Sequence, residues 1–326
     1  MKSSIVFICN PAAKRASDRK IAQASRFLKL KGYEVEVFFT EQRGDAENFA
    51  KKISEKNSEL LTLNSELLII AAGGDGTFNE VINGIVGSKI PMAILPLGTT
   101  NVLAKELSIP EAVEGAMEVA ISNTPKKVSL GKIVRSSGFG VHRRQFTYNS
   151  SLPGLAPQSG AGVTRYFCLM AGIGFDGETV FRINETLKKV SGKGAYIYSG
   201  IKTLSKFNPY ELTFDIDGKT YSGYSAIIGK AAKYGGNFKV TPDARLTDPV
   251  LYICLFKGKK RSDIFRYVCG IVAGRHLRFS DVEYLKAESI EINGNAHIQI
   301  DGDYFGMTPA KIEVVPNILR LIYPAP

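Results

Sequence analysis

Three glycines, an aspartate and a threonine stand together at residues 73–77, in the order Gly-Gly-Asp-Gly-Thr. Glycines let a bulky anion approach the backbone closely, and a threonine hydroxyl can cap a helix or bond a phosphate oxygen. The carboxylate of Asp75 stands where a magnesium–phosphate complex would need one. This composition is typical of a phosphate-binding loop, and the alternative interpretation is a tight turn between a strand and a helix.

The residues on either side of this loop predict a strand before it and a helix after it. Residues 67–70 form an apolar run typical of a buried strand, whereas Phe78, Val81, Ile82 and Ile85 recur at helical spacing. The backbone N–H groups at the start of a helix lack partners, and the helix dipole favours negative charge there. The pattern therefore predicts phosphate binding at the start of this helix.

Strands and helices alternate through about residue 123, which predicts a parallel sheet covered on both faces. From residue 125, short strands separated by Gly, Pro or Asn predict a β-rich second domain. We expect domains at 1–125 and 126–311, with 312–326 as a candidate to complete the first. Residues 136–163 are rich in Ser, Gly and Pro, which predicts a mobile excursion.

Charge and cysteine content narrow the class of partner and the compartment. The net charge of +11 implies an acidic partner, which can be a nucleotide, a nucleic acid or an anionic membrane surface. Four cysteines without a CxxC pair indicate neither a zinc site nor a disulfide framework, so buried thiols in a reducing cytosol are expected. No apolar run approaches the roughly 18 residues of a membrane span. A lipid would therefore be met from the membrane surface.

The segment 73–84, GGDGTFNEVING, resembles the signature of the diacylglycerol and sphingosine kinase superfamily, and is most similar to the small bacterial lipid kinases. The resemblance implies an α/β N-terminal domain with a parallel, Rossmann-like sheet of the NAD kinase and diacylglycerol kinase type. It also implies a mainly antiparallel β-sandwich C-terminal domain. The nucleotide-binding residues that it implies in this segment are Gly73, Gly74, Asp75, Gly76, Thr77, Asn79 and Glu80.

Three further segments resemble nucleotide-binding motifs of the same family. Asn10 and Pro11 match its NPxxG motif, with Lys14 at the glycine position, and Thr40 opens a segment similar to Thr-x-x-x-Gly-Asp-Ala. A Pro-x-Gly-Thr-x-Asn-Asp pattern is kept at Gly98, Thr99 and Asn101, with Val102 in place of the aspartate. Together these loops imply that ATP is bound by the first domain.

Two motifs of the second domain imply a metal site and a base. Residues 241–251 resemble a family segment that holds magnesium through one aspartate, here Asp248, and through backbone carbonyls, here those of Arg245 and Val250; Pro249 replaces the usual glycine. Residues 298–309, IQIDGDYFGMTP, resemble the family's Asp-Gly-Glu base segment. Asp303 occupies the glutamate position and Asp301 is the other candidate, although Asp-Gly alone is commonly only a hairpin turn.

Two other patterns leave alternatives open. The segment 171–177, AGIGFDG, contains GxGxxG but lacks a βαβ neighbourhood, and is interpreted either as the family's AGxGFDA segment near the interdomain cleft or as a glycine turn. The basic run 257–261 precedes a helix with Ile264, Val268 and Ile271 on one face. It could meet an anionic membrane, or be a solvated turn before an ordinary packed helix.

These motifs together predict an ATP- and magnesium-dependent lipid kinase. It would transfer the γ-phosphate of ATP to the hydroxyl of a diacylglycerol-like or sphingoid-like lipid in the interdomain cleft, with Asp303, Asp301 and Asp75 as catalytic candidates. We expect a cytoplasmic protein peripherally associated with the membrane, with no nucleic acid partner; a homodimer is compatible with the sequence. The alternatives are an NAD kinase-like enzyme and a catalytically inactive nucleotide-binding regulator.

Overall fold

The computed structural model describes residues 4–59, 67–135, 163–186 and 207–325, and the chain divides into two compact units. The first unit contains Met1–Val128, Val134–Tyr166 and Ile318–Pro326. The second contains Ser129–Ile133 and Phe167–Asn317. The C-terminal segment thus returns to the first unit from residue 318 rather than from 312. All but the last residue of the excursion predicted at 136–163 lies outside the described residues.

The first unit is built on a parallel sheet. Its strands are β1 (Ser4–Cys9), β2 (Glu34–Phe39), β3 (Leu67–Gly73) and β4 (Pro91–Pro96), in the order β2-β1-β3-β4. The last strand of the chain, Ala310–Leu321, adds its final residues alongside β4 in parallel. The helices are α1 (Asp18–Leu30), α2 (Asp45–Glu59), α3 (Asp75–Ile85), α4 (Val102–Glu106) and α5 (Val113–Ser122).

Burial explains why these segments fold as they do. The middle of β3 is fully buried, as its continuous apolar run predicts, and α1 buries one stripe through Ile21, Ala24 and Leu28. A Cβ added to Gly84 of α3 would lie 2.5 Å from the carbonyl oxygen of Glu47 in α2. Glycine at 84 therefore allows these two helices to pack closely.

The strand order of the first unit defines where a ligand can bind. The chain runs from β1 outward to β2 and returns to β3 on the other side of β1, so the direction of winding reverses between β1 and β3. In open α/β sheets, the crevice at such a reversal, beyond the carboxyl ends of the strands, is the usual ligand site. The loops that follow β1 and β3 lie at this position.

The second unit is mainly antiparallel. Within the described residues, the further strands are β5 (Lys126–Arg135), β6 (Val163–Phe167), β7 (Met170–Ile173), β8 (Leu212–Ile216), β9 (Lys219–Gly223), β10 (Ser225–Gly229), β11 (Lys233–Tyr234), β12 (Phe238–Lys239), β13 (Leu251–Phe256), β14 (Val282–Ala287), β15 (Ser289–Asn293), β16 (His297–Ile300), β17 (Asp303–Met307) and β18 (Ala310–Leu321). One sheet has the order β14-β13-β10-β7-β16-β17, and another includes β8, β9, β15 and part of β18. This arrangement confirms the fold class expected from the sequence.

In the part of the chain that the structure describes, two helices and a short 3₁₀ helix accompany these sheets. They are α6 (Phe175–Thr186), α7 (Arg261–Val272) and the 3₁₀ turn His276–Arg278. The prediction that Ile264 and Val268 share the packed face of α7 is wrong in part. Ile264 and Tyr267 are buried, whereas Val268 is 45% exposed. Cys269 on the same helix is also exposed, which corrects the expectation that every thiol is buried. None of the helices within the described ranges is long and apolar enough to cross a membrane.

Candidate active site

The loops that follow β1, β3 and β4 are hydrogen-bonded to one another. Asn10, directly after β1, donates its backbone N–H to the Ala72 carbonyl (2.9 Å) and its side-chain Nδ2 to the Thr77 hydroxyl (3.3 Å). The N–H groups of Leu97 and Gly98 both donate to the Gly73 carbonyl, at 2.7 and 2.9 Å. Three motifs far apart in the sequence therefore meet at the carboxyl edge of the sheet.

Gly74 and Gly98 lie back to back. A Cβ added to Gly98 would be 2.5 Å from the Cα of Gly74, and one added to Gly74 would be 3.2 Å from the Cα of Gly98. A Cβ on Gly73 would lie 2.4 Å from Oγ1 of Thr77. The sequence interpretation assigned the glycines of residues 73–76 to the approach of an anion. The structure adds that Gly73, Gly74 and Gly98 are also required for the loops to pack against each other.

The helix predicted after the glycine loop begins at Asp75, two residues before Thr77. Gly74 is the N-cap of α3 and provides no side-chain cap, and Gly76 in the first turn is exposed. The first N–H groups of such a helix have no acceptor within it and can bind an anion. Thr77 lies inside the helix, buried, and its hydroxyl accepts a hydrogen bond from Asn10. Capping by Thr77 is therefore wrong, and phosphate binding by its hydroxyl stays a prediction.

The Asp75 carboxylate holds the second glycine–threonine loop. Its two oxygens accept hydrogen bonds from the N–H groups of Val102 (2.9 Å) and Leu103 (3.0 Å), and so cap α4. Burial raises the pKa of Asp75, while these hydrogen bonds and the charge of Lys105 act to lower it. Val102 stands at the position of the family's aspartate. Its backbone N–H, rather than its side chain, makes the hydrogen bond to Asp75. The sequence assigns Asp75 to magnesium, to the nucleotide and to catalysis, and does not indicate this contact.

We expect Asp75→Asn to weaken ATP binding equally in magnesium and in EDTA. An asparagine amide would present a donor to one of the two N–H groups that the carboxylate now caps, at a cost of about 1–3 kcal/mol for the unpaired group. Titration calorimetry with ATP under both conditions measures this. A loss confined to the magnesium titration would instead assign the carboxylate to the metal. Asp18→Asn, at an exposed position in the first turn of α1, is the matched control.

The remaining residues of the second loop differ in burial. Thr99 is exposed, whereas Asn101 is only 1% exposed and adopts a left-handed backbone conformation with φ of 49°. Asn101 donates its Nδ2 to the Gly98 carbonyl at 3.1 Å. Its Oδ1 is buried and has no hydrogen-bond partner among the described residues. A ligand N–H or O–H group could supply the missing donor.

The turn after β1 and the threonine after β2 complete this edge of the sheet. The Asn10 Oδ1 accepts the N–H of Ala12 at 2.9 Å, which forms the turn, and Pro11 and Lys14 are exposed. Thr40 is buried and donates its N–H to the Cys9 carbonyl at 2.9 Å. Thr40 is thus bonded to the strand residue that precedes Asn10, and both follow the carboxyl ends of neighbouring strands. A direct contact of either with a nucleotide stays a prediction.

The Glu80 carboxylate makes hydrogen bonds within the protein. Burial raises the pKa of its carboxyl, and hydrogen bonds from the backbone of Gly44 and Ala46 act to lower it. The charges of Arg43 and Arg165 act in the same direction as those hydrogen bonds. Glu80 therefore positions the start of α2, which follows the loop after β2. Binding of the nucleotide by Glu80 stays a prediction.

Asn79 makes a similar structural contact. It is buried, and its Nδ2 donates to the Tyr166 carbonyl at 3.1 Å. The side chain of Asn83, one turn later, donates to the same carbonyl at 3.0 Å. The two asparagines thus fasten the end of β6 to α3. The structure gives Asn79 a positioning role that the resemblance did not imply.

In the second unit, the structure shows which groups bind the carboxylate of Asp301, one of the two aspartates proposed as the base. The Asp301 carboxylate accepts hydrogen bonds from the N–H groups of Cys168 (2.9 Å), Leu169 (2.9 Å) and Met170 (3.0 Å). The Cys168 thiol lies 3.4 Å from the same carboxylate. Asp301 also has a φ of 47°, at the turn between β16 and β17. Its carboxylate therefore holds the 168–170 segment. Asp303 is half-buried at the start of β17, and its role as the base stays a prediction.

A buried acid that sequence reasoning did not assign supports this turn. The Gln299 Oε1 accepts the N–H of Gly302 at 2.7 Å, and its Nε2 donates to Asp176 at 2.7 Å. The hydroxyl of Tyr234 donates to the other oxygen of Asp176, and burial raises the pKa of that carboxyl. A Cβ on Gly172 would lie 1.8 Å from Asp176 Oδ2. Gly172 of the AGIGFDG segment therefore makes room for Asp176. This segment is the only feature of the sequence that pointed to Asp176.

The predicted metal site is filled by a lysine. The carbonyls of Arg245, Asp248 and Val250 converge on the Nζ of Lys230, at 3.3 Å for Arg245 and 3.0 Å for Val250. Burial lowers the pKa of Lys230 to about 8, and the charge of Asp248 acts to raise it. The Asp248 carboxylate accepts the hydroxyl of Tyr252 at 2.6 Å. These residues do not fit a magnesium ion, because an ammonium group already occupies the carbonyl cluster, so the metal prediction for them is wrong.

No group of three or more His, Cys, Asp or Glu side chains that could hold a metal ion occurs within the described ranges.

Comparison with known proteins identifies two domains in this chain. Residues 4–133 match the model of the diacylglycerol kinase catalytic domain, and residues 170–323 match that of the YegS C-terminal NAD kinase beta sandwich-like domain. A diacylglycerol kinase of Bacillus subtilis is 27% identical over 325 residues, which cover 97% of this chain and 95% of that protein. One from Staphylococcus aureus is 27% identical over 318 residues, which cover 95% and 89%.

Solved structures show the same fold. A diacylglycerol kinase from Bacillus anthracis aligns with 99% of this chain and 97% of its own, with a TM-score of 0.65 at 19% identity. A further solved chain from that organism has a TM-score of 0.72 at 20% identity, with the same coverage.

Proposed function

We propose that this chain is a phosphotransferase that moves the γ-phosphate of ATP to a lipid hydroxyl, because residues 4–133 match the diacylglycerol kinase catalytic domain and the similar curated proteins are named diacylglycerol kinases. The observation that carries the proposal is that hydrogen bonds made by Asn10, Gly73 and Gly98 connect the three nucleotide loops. These loops lie where the winding of the sheet reverses, between β1 and β3. The match to a kinase catalytic domain implies ATP, and this arrangement suits it, since the N-terminus of α3, with the exposed Gly76 in its first turn, lies at the usual ligand position of such a sheet.

The roles of the residues follow from the chemistry of phosphoryl transfer, which demands positioning and charge neutralisation. The start of α3 and Thr77 would bind the phosphates. Gly98, Thr99 and Asn101 would lie nearer the base and ribose, where the unpartnered Oδ1 of Asn101 can accept a ligand donor. Magnesium, when bound with ATP, neutralises phosphate charge. Asp303 would accept the proton from the attacking hydroxyl, since the carboxylate of Asp301 is engaged by the backbone.

The test is transfer of labelled γ-phosphate from magnesium-ATP to a panel of acceptors. Diacylglycerol, a sphingoid base and phosphatidylglycerol are presented in mixed micelles, and NAD is assayed beside them. We expect label on one of the lipids, most readily on diacylglycerol, which is the substrate named for the relatives. Label on none of these acceptors, with ATP still bound, would favour a nucleotide-binding regulator.

One observation favours a second candidate function. The match of residues 170–323 is to a domain described as NAD kinase beta sandwich-like, so an NAD kinase-like activity is compatible with the second unit. The two activities differ in the acceptor, which is a lipid alcohol in one and the hydroxyl of a dinucleotide in the other. Label on NAD and on no lipid would assign the chain to this second function.

We further propose that the lipid is reached by peripheral association with an anionic membrane through α7. Phe265 and Val272 on this helix are 62% and 60% exposed, and Val268 lies between them at 45%. The basic run 257–261 adjoins the start of the helix, so apolar and cationic groups lie side by side. This is the composition of an interfacial helix, which binds through apolar burial and attraction to anionic lipid.

We expect Phe265→Glu combined with Val272→Glu to reduce binding to vesicles containing phosphatidylglycerol by more than about tenfold. The change removes two apolar side chains worth roughly 1.5–3 kcal/mol each on burial and adds two charges repelled by the lipid. Vesicle co-sedimentation measures the affinity. Leu30→Glu, at the end of α1 with 79% exposure, is the matched control and should bind as the unmodified protein does. Equal binding by the double variant would contradict the assignment of α7.

A further inference from the structure

We propose that the ammonium group of Lys230 is a built-in cation of the second unit and takes the place of a bound divalent ion. Lys230 directly follows β10, and its side chain is fully buried, with 0% exposure. Lysine is almost never fully buried unless its charge is paired. The groups around this ammonium group must therefore stabilise its charge.

The ammonium group is completely satisfied by the segment at residues 245–250. It has three N–H donors, and the carbonyls of Arg245, Asp248 and Val250 provide three acceptors. These three oxygens belong to one turn, in which Asp248 also donates its N–H to the Arg245 carbonyl at 3.1 Å. Such a ring of converging carbonyls, with one carboxylate nearby, is the kind of oxygen cluster that hard cations prefer. The cluster is thus a cation site whose cation is covalently attached to the chain.

A lysine and a divalent ion exclude each other at this position. Magnesium requires oxygen ligands at roughly 2.0–2.1 Å in near-octahedral geometry. The Arg245 and Val250 carbonyls lie at 3.3 and 3.0 Å from a nitrogen at the centre, which are hydrogen-bond distances. A second cation brought beside a buried ammonium group would also be repelled. The second unit therefore needs no divalent ion to order the 245–250 segment.

This inference does not depend on the proposed kinase activity, and thermal stability rather than catalysis tests it. We expect the purified protein to carry far less than one divalent ion per chain by plasma mass spectrometry. Its Tm should be the same, within about 1 °C, in EDTA and in magnesium, given that about 1 kcal/mol would shift it by a few degrees. A stoichiometric divalent ion together with a Tm that falls in EDTA would overturn the proposal.

Removing the lysine should convert the site into one that needs an added cation. We expect Lys230→Ala to lower the Tm by about 5 °C or more, because three carbonyls lose the ammonium group that donates to them. Methylammonium, magnesium or calcium should restore part of this loss by entering the vacated site. Lys239→Ala, at an exposed position on β12, should neither lose stability nor respond to the cations. Absence of recovery with all three cations would show that the cluster is not a cation site.

A labelling experiment on the unmodified protein keeps the proposal testable if Lys230→Ala does not fold. Lysine side chains are acetylated in the native state, in magnesium and in EDTA, and the peptides are quantified by mass spectrometry. We expect Lys230 to be protected under both conditions while the exposed Lys239 is modified under both. Modification of Lys230 that increases with magnesium would mean that the metal displaces the ammonium group, and would overturn the proposal.

Discussion

Replacing Asp303 with Asn should lower the rate of phosphoryl transfer by about 10²–10⁴-fold and leave the affinity for ATP unchanged. An amide cannot accept the proton of the attacking hydroxyl, and general base catalysis is typically worth this factor. Asp303 lies at the start of β17, in the unit that does not contain the nucleotide loops. Initial rates with the accepted lipid, and titration calorimetry with ATP, measure the two quantities separately.

Asp301→Asn is the informative partner variant, because its effect should fall on stability instead. The Asp301 carboxylate accepts the N–H groups of Cys168, Leu169 and Met170, and an amide would turn a donor toward one of them. We expect a loss of about 1–3 kcal/mol in the free energy of unfolding. If Asp303→Asn retained full activity while Asp301→Asn folded normally and lost it, the assignment of the base would be reversed.

The second large effect is expected at the contact between the two glycine loops. Gly98→Ala would place a Cβ 2.5 Å from the Cα of Gly74 and 2.6 Å from the Asn101 Oδ1. The first of these neighbours is backbone, so the loops must separate. We expect a loss of about 1–3 kcal/mol in stability, as for overpacked cores, and a weakening of ATP binding by at least about tenfold.

The matched control for this variant is Gly115→Ala. This glycine lies within α5, and an added Cβ would meet only the side chain of the exposed Pro110, at 3.0 Å. Alanine is also the better helix former, so stability should be kept or raised. Calorimetry with ATP and thermal unfolding are run on both variants. An ATP affinity of Gly98→Ala within twofold of the unmodified protein would contradict the requirement for close packing of the loops.

The sequence by itself determined the architecture and the position of the nucleotide loops. The apolar run 67–70, the three glycines and the helical spacing after them specify strand, loop and helix locally, because each is set by backbone geometry and side-chain periodicity over a few residues. The alternation of such units then implies a parallel sheet, and carboxyl strand ends share one edge. The resemblance to the family then assigns Asn10, Gly73 and Gly98 to one nucleotide site.

Only the tertiary structure decided which atoms those residues contact. The donors to Asp75 lie 27 and 28 positions away, and those to Asp301 lie 131 to 133 positions away. The same holds for Lys230, which no motif singled out and which reaches carbonyls 15 to 20 positions further along. A motif records residue type and spacing, but whether a carboxylate is a base, a cap or a support depends on which distant N–H groups the fold brings to it. The positions of the loops could therefore be predicted from the sequence, whereas the role of each carboxylate could not.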